Sequence, residues 1–231
     1  MKKREYCVLF FIAACIGAVV FLPGFTGKAP KRIMPLGDSI TYGIVGGMDG
    51  EKNFSGGYRA PLARKAEDAY WNVQFVGTQV DALRLHHEGY PGWRIDQIDS
   101  IVADKIRTAK PDIILLHIGT NDLAQGTSAD IRARNFDTLL NTINAIPNPP
   151  LVLVSSIILI CGAQTDLDNY NKQVETIVKE HVAKGEHFVF VDMNHESHMA
   201  CDDLSDAVHP NREGYIKMAD VWFKALKPYM N

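Results

Sequence analysis

The sequence predicts an α/β protein, with an open, mostly parallel sheet covered by helices on both faces. Three observations carry this. Strand-like apolar runs alternate with helix-spaced segments from Lys31 to Leu226. Two of the runs, PDIILLHIG and LVLVSSIILI, are continuously apolar, as in strands buried on both sides. The 231 residues suffice for one domain with a sizeable core, and no internal repeat or low-complexity tract divides them.

The elements follow in order. KRIMPLG reads as a first strand running into a turn at Gly37-Asp38-Ser39. GGYRAPLARKAEDAY has apolar residues at helical spacing, and NVQFVGT is a second strand. RIDQIDSIVADKIRTA sets Ile95, Ile98, Ile101, Val102 and Ile106 on one helix face. PDIILLHIG is the next strand, and ADIRARNFDTLLNTINAI is a helix stopped by PNPP. LVLVSSIILI is another buried strand, DLDNYNKQVETIVKEHVAKG a helix closed by Gly185, HFVFVDM a strand and REGYIKMADVWFKAL the final helix. The mixed charges of ARKAEDAY and VETIVKEHVAKGEH serve solvation and helical ion pairs.

The N-terminus differs. MKKRE is a basic start, and YCVLFFIAACIGAVVFLPGF carries no charge. Residues 1–29 are therefore expected to be an export signal or a retained membrane anchor, with 30–231 as the folded, working domain outside the cytoplasm. IAAC, ending at Cys15, is like a lipoprotein box, but apolar residues continue past it. Cys161 and Cys201 are the two cysteines of the folded part; they either pair in an oxidising compartment or stay separate buried thiols. A formal charge of −3 and a pI near 6.2 give no case for nucleic-acid binding.

In sheets of this kind, sites lie beyond the carboxyl ends of the strands. Ser39, Gly119 to Asp122 and Cys161 all follow a strand directly, and the segment after HFVFVDM leads to His209. Four segments are thus expected at one edge: GDSI, HHEGYPGWRID, IGTND and LSDAVHPN. Taken alone, Ser39 reads first as a helix cap. With a base it is a nucleophile, and His209 suits that role near neutral pH. Asp206, three residues before it, can hold the imidazole in the right tautomer. The Ser39 N–H, a glycine N–H and the Asn121 amide can supply an oxyanion hole.

These blocks, in this order, resemble those of the GDSL-type, or SGNH, hydrolases. MPLGDSIT, HEGYPGW followed by IDQI, and DAVHPN look like carbohydrate esterase family 3, known chiefly for acetyl xylan esterases. The resemblance implies a flavodoxin-like three-layer α/β/α sandwich with about five parallel strands. It implies Ser39 as nucleophile, His209 as general base, Asp206 as orienting acid, and Gly92 and Asn121, with Ser39, as the oxyanion hole. Gly92 matches better than Gly89 because it directly precedes a helix. No GxSxG elbow surrounds Ser39, which disfavours the larger α/β-hydrolase fold. The implied activity is removal of acetyl or other short acyl groups from carbohydrate by a monomer, with no cofactor. A lipase, lysophospholipase or thioesterase of the same superfamily is the alternative, and a carbohydrate-binding protein without catalysis a further one.

Other residues have plainer readings. Asp38 and Asp122 brace loops by hydrogen bonds; Asp38 is also a substrate-binding candidate, with Tyr90 and Trp93. Those two aromatics are either a sugar platform or packing residues, and Tyr42 is similar. His86 and His87 are expected to be exposed, and His117 to lie in the core. In HESHMACDD, His195, Glu196, His198, Asp202 and Asp203 are read as solvated loop residues, and no metal is expected.

Overall fold

The computed structural model describes residues 28–46 and 56–230. All but the last two residues of the expected leader, 1–29, lie outside the described residues. Among the described residues no helix is long and apolar enough to cross a membrane.

The chain runs β1 (Lys31–Gly37), α1 (Ser39–Tyr42), α2 (Arg59–Asp68), β2 (Val73–Phe75), β3 (Gln79–Val80), β4 (His86–Gly89) and α3 (Ile95–Ala109). It continues through β5 (Ile113–His117), α4 (Thr120–Ala124), α5 (Ala129–Asn144), β6 (Leu151–Ser155) and α6 (Gln164–Ala183). It ends with β7 (Phe188–Val191), α7 (Met193–Glu196) and α8 (Arg212–Leu226). Among the described residues the sheet has seven strands in the order β3-β4-β1-β5-β6-β7, with β2 also on β1. β2 pairs with Lys31 to Ile33 of β1, and β4 pairs with Leu36 and Gly37. The two short strands therefore share one place beside β1. Counted this way the parallel part is five positions wide, as the family resemblance implies, and only β3 runs antiparallel.

Two-residue periodicity divides the core. Met34, Leu36, Ile114, Leu116, Val152 and Val154 face one side, against Ile98 and Val102 of α3, Phe136 and Leu139 of α5, and Tyr170 and Val174 of α6. Ile33, Ile113, Leu115 and Leu153 face the other, against Leu62 of α2 and Met218 and Trp222 of α8. Both faces are covered, so the strands read as unbroken apolar runs.

The structure departs from the sequence reading in several places. The strand expected over residues 151–160 ends at Ser155. Beyond it, Ile157 N–H donates to Asn171 Oδ1 (2.9 Å) and Ile158 N–H to His117 Nε2 (3.3 Å), so side chains replace the ladder. β3 and β4 were not foreseen, because HHEG lacks the branched and aromatic residues that mark strands. His87 is consequently buried, with Nδ1 accepting from Gly89 N–H at 3.0 Å. Cys161 and Cys201 are joined as a disulfide, with Cα atoms 5.9 Å apart.

Candidate active site

β1 ends in close contact with β5. A Cβ on Gly37 would lie 2.0 Å from the carbonyl oxygen of His117, so only glycine fits. The chain then turns directly into α1. Asp38 caps this helix, its Oδ1 accepting from Ile40 N–H at 3.0 Å. Ser39 is thus the first helical residue, and its hydroxyl has no capping duty. The buried Arg59 guanidinium sits at the other end of α1, on the carbonyls of Thr41 and Tyr42, and pairs with Asp81 at 3.0 Å.

Ser39 Oγ lies 2.9 Å from His209 Nε2. His209 Nδ1 lies 2.8 Å from Asp206 Oδ2. Asp206 Oδ1 accepts from the backbone N–H groups of Val208 and His209, both at 2.7 Å. Burial pushes the Asp206 carboxyl up, but these N–H groups and the His209 ring outweigh it and hold the group below the ordinary carboxylate range. Asp206 is therefore ionised at neutral pH. An acceptor on Nδ1 keeps the proton there and leaves Nε2 to accept from the serine.

The glycine block closes on the same edge. Tyr90 N–H donates to Gly37 O (2.9 Å), which ties the block to the strand before Ser39. Trp93 N–H donates to Tyr90 O (3.1 Å) across Pro91 and Gly92, and Gly92 has φ +79°. Proline followed by a positive-φ glycine is the signature of a type II turn. α4 and the residue that caps its C-terminus, Gln125, grip this turn. Asn121 Nδ2 donates to Trp93 O (2.9 Å), Gln125 Nε2 to Gly92 O (3.2 Å), and Ile95 N–H donates to Asp122 Oδ2 (3.1 Å). An amide nitrogen carries two hydrogens, so Asn121 keeps one for a further acceptor.

The remaining candidates make contacts of their own within the protein. Asp38 is fully buried, so the expectation that it contacts substrate is corrected: its carboxylate faces inward, toward Ile40 N–H and the Thr120 hydroxyl. Tyr90 and Trp93 stack on each other, with ring centres 4.4 Å apart, and both pack against the core. The Tyr90 hydroxyl donates to the buried Glu88. Asp122 is a loop brace, as expected, and His117 lies in the core. In the HESHMACDD segment, His195 pairs with Asp192 (2.9 Å), Glu196 with Lys224 (3.0 Å) and Asp203 with Lys217 (2.7 Å). Among the described residues no group of three His, Cys, Asp or Glu is arranged to hold a metal ion.

Burial dominates the charges beneath the site. It pushes the Asp38 carboxyl up to about 7 and that of Asp122 up to about 6. Sequence reasoning missed the residues that brace the catalytic loop. Gly46 N–H donates to Ser205 Oγ (2.8 Å), Ser205 Oγ donates to His209 O (3.0 Å), and Cys161 N–H donates to Ala207 O (3.0 Å). Gly46 and Cys161 lie far in sequence from the loop they brace, and no local signal marks them.

Residues 36–216 match the GDSL-like Lipase/Acylhydrolase family. A multidomain esterase of Ruminococcus flavefaciens is 29% identical over 231 aligned positions, covering 86% of this chain. The chain spans only 29% of that protein's length. Among solved structures, a family 3 carbohydrate esterase of Clostridium thermocellum superposes with a TM-score of 0.75 at 29% identity, over 87% of this chain and all of that one. A carbohydrate esterase family 3 structure from Talaromyces cellulolyticus gives 0.74 at 25% identity, over 86% of this chain and 97% of its own.

Proposed function

The chain belongs to the GDSL-like lipase/acylhydrolase family, and from that premise we propose that it is a serine esterase removing acetyl groups from a carbohydrate, acetylated xylan or a related polysaccharide. The observation that carries this is the unbroken relay from Ser39 Oγ to His209 Nε2 (2.9 Å) and from His209 Nδ1 to Asp206 Oδ2 (2.8 Å). The similarity to family 3 carbohydrate esterases supports the substrate class. The disulfide and the apolar stretch near the N-terminus support export, with membrane attachment through that stretch as the alternative to cleavage. All three relay residues come from one chain, which suits a monomer.

In this mechanism His209 Nε2 takes the Ser39 proton as Oγ attacks the acetyl carbonyl carbon. The oxyanion accepts hydrogen bonds from Ser39 N–H, Gly92 N–H and Asn121 Nδ2. His209 returns the proton to the sugar oxygen as the carbon–oxygen bond breaks, and the sugar hydroxyl leaves. Water, deprotonated by His209, then attacks the acetyl-enzyme; acetate departs and Ser39 regains its proton. Trp93, next to Gly92, is the side chain proposed to meet the sugar, with Tyr90 supporting it from behind.

The test is acetate release from acetylated xylan by the wild type and by Ser39→Ala and His209→Ala. Loss on the order of 10⁴ to 10⁶-fold in kcat is expected for each. Ser39-dependent turnover of small acetyl esters without release from xylan would discard the polysaccharide and keep the chemistry. Rates rising steadily from acetyl to long-chain esters would favour a lipid substrate. Full activity in Ser39→Ala would overturn the mechanism.

A further inference from the structure

After α1 the chain does not leave the site. Gly43 N–H and Ile44 N–H both donate back to Ser39 O, at 3.0 and 3.1 Å. The Gly43 backbone is pressed against Gly57, where a Cβ would meet Gly57 N at 2.6 Å. The buried Tyr215 of α8 donates its hydroxyl to Ile44 O at 2.6 Å, and Val45 packs on the core beneath. Residues 44–46 thus form a strap that starts at the nucleophile and runs to the loop carrying His209.

The strap ends against Asp206. Gly46 N–H donates to Ser205 Oγ (2.8 Å), and a Cβ on Gly46 would fall 1.9 Å from Asp206 Oδ2 and 2.6 Å from its Cγ. That oxygen is the one bonded to His209 Nδ1. The φ of Gly46 lies outside the left-handed region, so its backbone conformation is open to other residues. What a methyl group lacks there is space. Glycine at this position is set by the carboxylate, not by the turn.

Building on the proposed esterase mechanism, we infer that Gly46 is a positioning residue of the catalytic relay: its bare Cα forms the wall against which Asp206 Oδ2 is set, and any side chain there pushes that oxygen off His209. Ser205 completes the device. Its hydroxyl takes the Gly46 N–H and passes a hydrogen bond to the carbonyl of His209 (3.0 Å), so strap and loop move as one piece. The chain segment after the nucleophile is thereby made to locate the acid of the same relay.

The experiment is a double-mutant cycle of Gly46→Ala with Asp206→Ala, read as kcat and KM on a small acetyl ester, with thermal melting alongside. Misplacing a catalytic group by about 1 Å costs on the order of 10²-fold, so Gly46→Ala is expected to lose about that in kcat with KM nearly unchanged. In the Asp206→Ala background, above the Ser39→Ala baseline, adding Gly46→Ala is expected to cost nothing more, because the oxygen it displaces is gone. A merely structural glycine would give the same fold-loss in both backgrounds, and that result would overturn the inference. So would wild-type kcat in Gly46→Ala. If that variant fails to fold, Ser205→Ala removes the strap's anchor without adding bulk. It is expected to lower kcat several-fold, again only while Asp206 is present. Full activity of Asp206→Ala alone would be a different failure, that of the relay itself, and the inference would fall with it.

Discussion

Asp38→Asn should stabilise the protein at alkaline pH and leave it unchanged in acid. Asp38 is fully buried beneath Ser39. Its Oδ1 accepts from Ile40 N–H, while Oδ2 has no hydrogen-bond partner of good geometry. Burial pushes the carboxyl from 3.8 up to about 7, against the pull of Ile40 N–H, His209 and the Thr120 hydroxyl. Between about pH 4 and 7 the folded state therefore holds a proton that the unfolded chain has released. Stability must fall as pH rises through this window. A shift of roughly three units corresponds to about 4 kcal/mol once pH exceeds 7. Asparagine keeps the oxygen that caps Ile40, carries no charge, and places an NH₂ donor where Oδ2 lies. Urea unfolding followed by tryptophan fluorescence at pH 5, 6, 7 and 8 measures the gap. The variant should match wild type only below about pH 4, exceed it by about 1–2 kcal/mol at pH 5, and exceed it by a few kcal/mol at pH 8. Asp122, raised to about 6 by burial, gives a slope of the same sign in both proteins and cancels from the difference. A pH-independent gap, or a variant less stable at pH 8, would refute the argument.

Three further perturbations have expected outcomes. Asn121→Ala removes one oxyanion donor and should lower kcat by about 10² to 10³-fold with a smaller change in KM, measured on acetyl esters. Arg59→Met leaves the Asp81 carboxylate buried and the Thr41 and Tyr42 carbonyls without its guanidinium. It should cost about 3–5 kcal/mol in denaturant unfolding, and adding Asp81→Asn should recover part of that. Replacing Cys161 and Cys201 together with alanine opens a loop with a sequence separation of 40 residues. The loop-closure relation then gives a loss of about 4 kcal/mol, read from the urea midpoint of the variant.

The layout of the fold was legible because its signals are local. Ile33 faces one core and Met34 and Leu36 the other, and Ile95, Ile98, Val102 and Ile106 of α3 fall on one buried stripe, with Ile101, expected beside them, outside it. The relay was legible for the same reason. Asp206 and His209 lie three residues apart on one loop, and Ser39 follows a strand in a recognisable block. What stayed hidden is what depends on contact at long range. HHEG becomes a strand because Leu36 and Gly37 offer it a ladder, not because its residues favour one. Asp38 looked like a substrate contact from its place beside Ser39, yet the close packing of β1 on β5 turns it inward. Gly46 carries no sign that its neighbour is a carboxylate, because the residue it bonds, Ser205, lies 159 positions away.

A catalytic base on a loop needs an explanation, since loops are the mobile part of a domain. Here the explanation is that each residue of the loop is individually tied. Ser205 N–H donates to His209 O at 2.8 Å, which closes the loop on itself, and its hydroxyl ties the loop to Gly46. The Asp206 carboxylate collects the N–H groups of Val208 and His209 as well as the imidazole. Ala207 O takes Cys161 N–H, and Cys161 is bonded in turn to Cys201, just ahead of the loop. Leu204 and Pro210 pair across its base. None of these ties uses His209 Nε2. The ring is held by everything except the atom that must accept and release a proton, so the loop supplies the precision of a rigid element while its working nitrogen stays available.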